Sequence, residues 1–312
     1  MTRKIGRREF VGRFVMTGAG LFASRSVANA IISRDLPPPV QLCSVVGDRY
    51  FDNTMKAVDA LGGMKAFVRP GSTVGILVNS PWGNPGSFTN PDIAIAVVKM
   101  CLDSGAKQVW ALNDISRKYW RRSRLYESLK TEIDRVSYPD QTTSVTIDGG
   151  KVLKNAEVSS ALLSCDVFVN VPIIKDHEGT KFTCTMKNMM GACTGSTCRR
   201  FHLGESSIVT GLLKGFYSNV DLLAQSIADV NLVRRPTLSI VDATEILTTN
   251  GPSGPGEMRK PREVIASTDG VAADMYATRH LGLNWEELQV ITCAREHGYG
   301  PASLKDVNIR VF

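Results

Sequence analysis

Apolar residues fall in short runs separated by stretches of helical spacing. Val74-Gly75-Ile76-Leu77-Val78 is a continuous apolar run too short for a buried helix, and it predicts a central strand. A loop rich in Pro and Gly follows, from Pro81 to Asn90. Pro91 then suits the first turn of a helix, with Asn90 as its cap, running to about Ser104 before Gly105. Gln108 to Leu112 predicts the next strand, so this part of the chain is a β-α-β unit with a right-handed crossover. Further on, Cys165–Pro172, Thr237–Val241 and Arg262–Ser267 predict strands, and Val307–Phe312 an edge strand. Helices are predicted over Phe51–Leu61, Arg117–Val136, Val220–Leu232, Asp269–Leu281 and Glu286–Glu296. The alternation predicts an α/β protein with a mostly parallel sheet and flanking helices, in one large domain or two lobes.

Several of these strands end in polar residues: Asn79 and Ser80, Asn113 and Asp114, Lys175 to His177, and Asp242 with Glu245 after Val241. Ligands of open α/β sheets bind beyond the carboxyl ends of the strands, so Asn79, Asp114 and Asp242 become candidate binding residues.

The N-terminus changes the picture of charge and location. Of the formal charge of +7, most lies in residues 1–30, which hold six basic residues and one acidic one. The remaining chain is close to neutral, which argues against a nucleic-acid partner. Gly6-Arg7-Arg8-Glu9-Phe10-Val11 is a twin-arginine pattern, Val15–Ala23 a moderately apolar stretch, and Ala28-Asn29-Ala30 a small-x-small cleavage site. Residues 1–30 are therefore expected to be an export signal read by the twin-arginine machinery and cleaved near Ala30. The expected mature protein is periplasmic, with no stable membrane span, since no other segment reaches about 18 consecutive apolar residues. Residues 31–69 form an arm and a helix in this division, and residues 70–312 the α/β domain.

All seven cysteines lie beyond residue 30. Cys101 and Cys165 sit among apolar neighbours and suit a core. Cys184, Cys193 and Cys198 fall within fifteen residues, flanked by His177 and His202. Three soft ligands and an imidazole suit a transition metal or an iron–sulfur cluster, which would imply a redox partner protein. A Cys193–Cys198 disulfide and a set of free thiols are the competing readings. Lys175, Lys181, Lys187, Arg199 and Arg200 concentrate cations in the same segment, which suits an anionic ligand. Asn250 and Gly251 open a flexible Asn-Gly-Pro-Ser-Gly-Pro-Gly loop that permits close backbone approach. No Gly-x-Ser-x-Gly elbow, His-Glu-x-x-His or P-loop pattern is present.

The segment from Lys175 to His202 resembles the domain-of-unknown-function 362 family, with Lys175-x-His177, Thr183, Lys187-Asn188-x-x-Gly191 and His202 on the family's motif positions. Asn90-Pro91-Asp92 with its helix and Gly105-Ala106-Lys107, and then Asn250-Gly251-Pro252-Ser253-Gly254 followed by Ser267-Thr268-Asp269-Gly270-Val271-Ala272-Ala273-Asp274, resemble its flanking regions. Many members are iron–sulfur-associated through ferredoxin-like cysteine repeats, whereas this chain has no Cys-x-x-Cys. The resemblance implies a site built on Lys175, His177, Lys187, Asn188 and His202, with Thr183 and Gly191 beside it. Lys and Asn would position an anionic group, and His would ligate a metal or shuttle protons. The expected function is a metal, iron–sulfur or other redox cofactor site. The alternative is a cofactor-free module binding an anionic small molecule or a protein partner.

Overall fold

In the computed structural model, residues 40–204 and 219–312 are described. The signal sequence expected at residues 1–30 lies outside them. Residues 40–312 form one unit.

The strands are β1 (Leu42–Val46), β2 (Thr73–Val78), β3 (Gln108–Ala111), β4 (Val136–Ser137), β5 (Thr142–Thr146), β6 (Asn155–Ser159), β7 (Val167–Val171), β8 (Ile173–Lys175), β9 (Leu238–Leu247), β10 (Met258–Arg259), β11 (Glu263–Ser267) and β12 (Ile309–Val311). The main sheet runs β12-β1-β11-β9-β7-β2-β3-β4, with β8 and β10 also pairing with β9. Its ladders are parallel except for β1–β11, β9–β11 and β9–β10. The expected mostly parallel α/β class is therefore the observed one. The antiparallel members gather on the β11 side, and β5 and β6 form a separate hairpin.

Strand order carries the main functional consequence. From β2 the chain steps outward to β3 and then β4, and on returning it lays β7 on the opposite side of β2, followed by β9. The order reverses between β2 and β7. Their carboxyl ends, at Val78 and Val171, flank the crevice that such a reversal opens.

The alternation of side chains along each strand supplies two separate cores. Val74, Ile76 and Val78 of β2 and Val167, Val169 and Val171 of β7 face one side with α2 (Pro91–Asp103), where α1 (Tyr50–Asp59) also packs. Leu77 and Phe168 face the other with Phe201, Leu223 and Ile227. This is the period of two expected of a strand buried on both faces. Asn90 caps α2 as expected, its side chain accepting from Asp92 N at 3.0 Å with Pro91 in the first turn.

Some boundaries differ from expectation. The helix expected over 117–136 is broken into α3 (Arg117–Trp120) and α4 (Lys130–Ile133). Ser123 Oγ accepts from Leu125 N at 2.9 Å and donates to Asp92 Oδ1, and this local bonding competes with helix continuation. The strand predicted to end at Val241 continues to Leu247, because Asp242 is satisfied inside it. Its Oδ2 accepts from Asn90 N at 2.6 Å and its Oδ1 from Thr244 N at 2.8 Å. After β6 come α5 (Ser160–Ser164), α6 (Thr185–Asn188), α7 (Gly195–Leu203), α8 (Val220–Val230), α9 (Gly270–Ala277) and α10 (Gln289–Glu296). The helix predicted from Asp269 starts one residue later, since Asp269 is its cap and accepts from Val271 N and Ala272 N.

Candidate functional site

A cavity of about 390 Å³ opens at the reversal point, walled by Asn79 and Trp82 after β2, Asn113 and Asp114 after β3, Lys175 at the end of β8, and Thr183, Lys187, Asn188, Gly191 and Cys198. Parallel strands place all three strand ends on one edge, and α6 delivers Lys187 and Asn188 across them. Asp274 holds α6 in place: its Oδ1 accepts from Thr185 N at 2.7 Å and its Oδ2 from Met186 N at 3.0 Å. Its carboxyl is lifted to about 6, chiefly by burial.

Lys175 is 1% exposed. Its Nζ donates to Asn79 Oδ1 at 3.1 Å and to Ser87 O at 2.5 Å. Asn79 Nδ2 donates to Asn188 Oδ1 at 3.0 Å, and Asn188 Nδ2 donates to Asn170 Oδ1 at 2.6 Å and to Leu77 O at 3.1 Å. Asn170 Nδ2 closes the relay on Thr185 O at 2.9 Å. The lysine is thus oriented by three buried or half-buried amides, and no carboxylate among the described residues forms an ion pair with it. Burial, and then the charge of Lys187, lowers its pKa to about 7. Lys187 is lowered to about 8, also by burial, and its Nζ reaches Met190 Sδ at 3.5 Å. A neutral Lys175 has two N–H groups, both engaged by Asn79 and Ser87, so its lone pair is left for a ligand.

Thr183 is buried beside Lys175, with which its backbone exchanges hydrogen bonds of 2.9 and 3.2 Å. Its Oγ1 has no partner although it lies in the cavity wall. An unpaired buried hydroxyl is costly unless something else engages it.

The remaining expected residues divide. His177 and His202 do not line the cavity. His177 Nδ1 accepts from Gly179 N at 3.0 Å and Thr180 N at 3.2 Å, which fixes the neutral ring with its proton on Nε2. Burial, followed by Lys187, holds its pKa far below the usual imidazole range, and His202 is lowered to about 4 by the same two causes. Asp242 is a buried tie between β9 and the start of α2 rather than a strand-end ligand, its carboxyl raised to about 6 by burial. Asn250 donates to Pro255 O at 3.2 Å. Gly251 N donates to Asp176 Oδ2 at 3.0 Å, and Pro252 beside it joins the wall.

The cysteines do not form the expected ligand set. Cys184 is 1% exposed, with its Sγ 3.5 Å from Thr185 Oγ1 and its thiol pushed up by burial and by Asp274. Cys193 and Cys198 turn their thiols to the carbonyls of Met189 and Met190, at 3.7 and 3.3 Å. All seven cysteines are free, so Cys193 and Cys198 are not bridged. Among the described residues, no three His, Cys, Asp or Glu side chains converge as metal ligands would. This donor arrangement does not fit a cluster or a transition metal.

Sequence reasoning missed Asn170, Ser87 and Thr183's unpaired hydroxyl, and it met Asp274 only as the end of a family-like stretch with no role assigned. Asn170 carried a signal, being a lone amide inside the run Cys165–Pro172.

Comparison with known proteins gives a family and distant relatives. The family described as "Domain of unknown function (DUF362)" matches residues 74–279. The thylakoid-associated protein sll1697 of Synechocystis sp. is 23% identical over 260 residues, covering 79% of this chain and 74% of that protein. The lactate racemase apoprotein of Thermoanaerobacterium thermosaccharolyticum is 13% identical with a TM-score of 0.44, over 66% of this chain and 52% of its own. A structural-genomics protein of Thermotoga maritima is 13% identical with a TM-score of 0.40, over 80% of this chain and 60% of its own.

Proposed function

The chain belongs to the DUF362 family, and we propose that it binds an anionic small molecule in the cleft between the ends of β2 and β7. The carrying observation is the pair Lys175 and Lys187 lining one cavity with no carboxylate among the described residues ion-paired to either. Burial penalises both ammonium groups, and the charge of Lys187 adds to the penalty on Lys175, which is what lowers their pKa values. An anion between them relieves both penalties. Lys187 supplies charge to the ligand, Asn79 and Asn188 hold Lys175 in place, and Lys175 accepts or returns a proton near neutral pH.

Export belongs to the same proposal: residues 1–30 carry the twin-arginine pattern and the cleavage site, and the mature protein acts in the periplasm. The metal and iron–sulfur reading is not carried forward, because no three His, Cys, Asp or Glu side chains converge among the described residues.

The test is calorimetric titration of the purified mature chain with inorganic phosphate and with malonate at constant ionic strength. Binding of either that drops about ten-fold or more in Lys187→Gln, by the loss of a charge-assisted contact, supports the reading. Failure of both anions to bind the folded wild-type protein overturns it.

A further inference from the structure

The lysine-lined cavity continues into a second one of about 380 Å³, and Asn113, Asp114 and Gly191 belong to the walls of both. The second compartment has a different chemistry. Its wall brings Asp114 and Asp140 together with Tyr138, Thr142 and Ser159. Among the described residues it contains no lysine or arginine. Ser159 is 8% exposed and its Oγ has no hydrogen-bond partner, as Thr183 Oγ1 has none in the first compartment. Each compartment therefore holds one buried, unsatisfied hydroxyl in its wall.

Charge divides along the same line. Lys175 and Lys187 lie on one side, and Asp140 on the other, with Asp114 at the junction. A ligand that fills both must be anionic at one end and bear hydroxyl donors in the middle. A carboxylate at the end of a strand beside a crevice at a topological reversal is the arrangement that accepts ribose hydroxyls in doubly wound sheets. Beyond it, the ring of Tyr138 stands 47% exposed, its hydroxyl fixed by Trp120 Nε1 at 2.9 Å. A large exposed aromatic ring held in a cavity wall suits stacking of a flat heterocycle.

We propose that the two compartments together take a nucleoside monophosphate: phosphate on Lys175, Lys187 and Thr183, ribose hydroxyls on Asp114, and base against Tyr138. The combined site has the size usual for such a ligand. A second phosphate would have to enter beside Asp114 and Asp140, so a diphosphate gains nothing. This inference rests on the anion-binding reading above and names its ligand class.

The test is a ladder of titrations on the mature protein with inorganic phosphate, ribose 5-phosphate, AMP and ADP. AMP is expected to bind at least ten-fold more tightly than inorganic phosphate, with ribose 5-phosphate between them and ADP no tighter than AMP. Asp114 and Tyr138 are exposed, but Tyr138→Leu also removes the acceptor of Trp120 Nε1, so thermal unfolding of each variant first establishes that it is folded. Asp114→Asn is expected to remove most of the step from phosphate to ribose 5-phosphate while leaving phosphate affinity intact. Tyr138→Leu is expected to bring AMP down to the level of ribose 5-phosphate. Equal affinities for AMP and phosphate, with phosphate still dependent on Lys187, overturn this inference and leave anion binding standing. Absence of binding by every member of the ladder overturns both.

Discussion

Lys175 and Asn79 are joined by a 3.1 Å hydrogen bond from Nζ to Oδ1, and the two residues sit at the ends of strands on opposite sides of the reversal point. The bond spans the crevice. It ties the β8 end, which carries the site's most buried cation, to the β2 end. The Asn79 amide passes the constraint on to Asn188 and Asn170. An amide orients an ammonium without neutralising it, and that is why Lys175 stays electrically unpaired although its hydrogen bonds are made.

The first consequence is a pH dependence with a definite sign. Folding lowers Lys175 to about 7 and Lys187 to about 8, in both cases mainly by burial. The unfolded chain therefore binds more protons than the native one between these values and about 10, the ordinary lysine range. The lysines should make the ligand-free protein more stable as pH rises through the lower part of this window, whereas the buried thiols, all raised on folding, oppose the trend from about pH 8 upward as they ionise in the unfolded chain. Urea midpoints at pH 6.5 and pH 7.5 check it. Lys175→Met should flatten the rise. Anion affinity should move the other way, weakening above pH 8 as the lysines lose their protons. At pH 8 binding should take up protons, which calorimetry in buffers of different ionisation enthalpy would detect. Affinity independent of pH from 6.5 to 9 would contradict the assignment.

Asn170 offers a test of the relay itself. Asn170→Leu keeps the side chain's size but strands Thr185 O and one of the two N–H groups of Asn188 Nδ2, the other still donating to Leu77 O, all inside the protein. Each stranded group costs about 1–3 kcal/mol, so equilibrium unfolding should show a loss of at least about 2 kcal/mol. Anion affinity should fall as well, because Asn188 no longer holds Asn79 against Lys175. A variant with wild-type stability would show that the relay carries little.

How far the sequence foretold this arrangement can be followed residue by residue. β2, α2 and β3 were legible because continuous apolar runs, a Pro in the first turn and an Asn cap all act locally. Lys175, Lys187, Asn188, Thr183 and Asn79, each singled out in the sequence, line one cavity, since strand ends converge in a parallel sheet. The three cysteines misled. Their closeness in sequence says nothing of the direction in which each thiol points, and Cys184 was turned into the core by packing with Thr185 and Asp274. Asp242 misled for a related reason: its partner, Asn90 N, is 152 residues away along the chain, beyond any local pattern.

Gly251 can be tested by one methyl group. A Cβ there would lie 1.7 Å from Asp176 O, a backbone atom that cannot swing aside. Gly251→Ala must push the loop off the segment that follows Lys175, at a cost of about 1–3 kcal/mol by overpacking. Because Pro252 is part of the cavity wall, anion affinity should fall with stability. Thermal unfolding and phosphate titration of the same variant check both. Unchanged values in the two measurements would mean that the loop relaxes freely.

The export proposal makes its own prediction at the other end of the chain. Arg7 and Arg8 form the twin-arginine pair, and Ala28-Asn29-Ala30 precedes the expected cut. Lys preserves the charge of Arg but not its planar, five-donor fork, so a receptor that reads the guanidinium geometry distinguishes the two. Replacing both residues (Arg7→Lys with Arg8→Lys) should therefore leave full-length precursor in the cytoplasm. The wild-type chain should appear in the periplasm with Ile31 as its first residue. Cell fractionation and intact mass of both proteins decide the matter. Periplasmic delivery of the double variant at the wild-type level would remove the twin-arginine assignment. A wild-type protein retaining Met1 to Ala30 in its periplasmic form would instead make the segment an uncleaved leader.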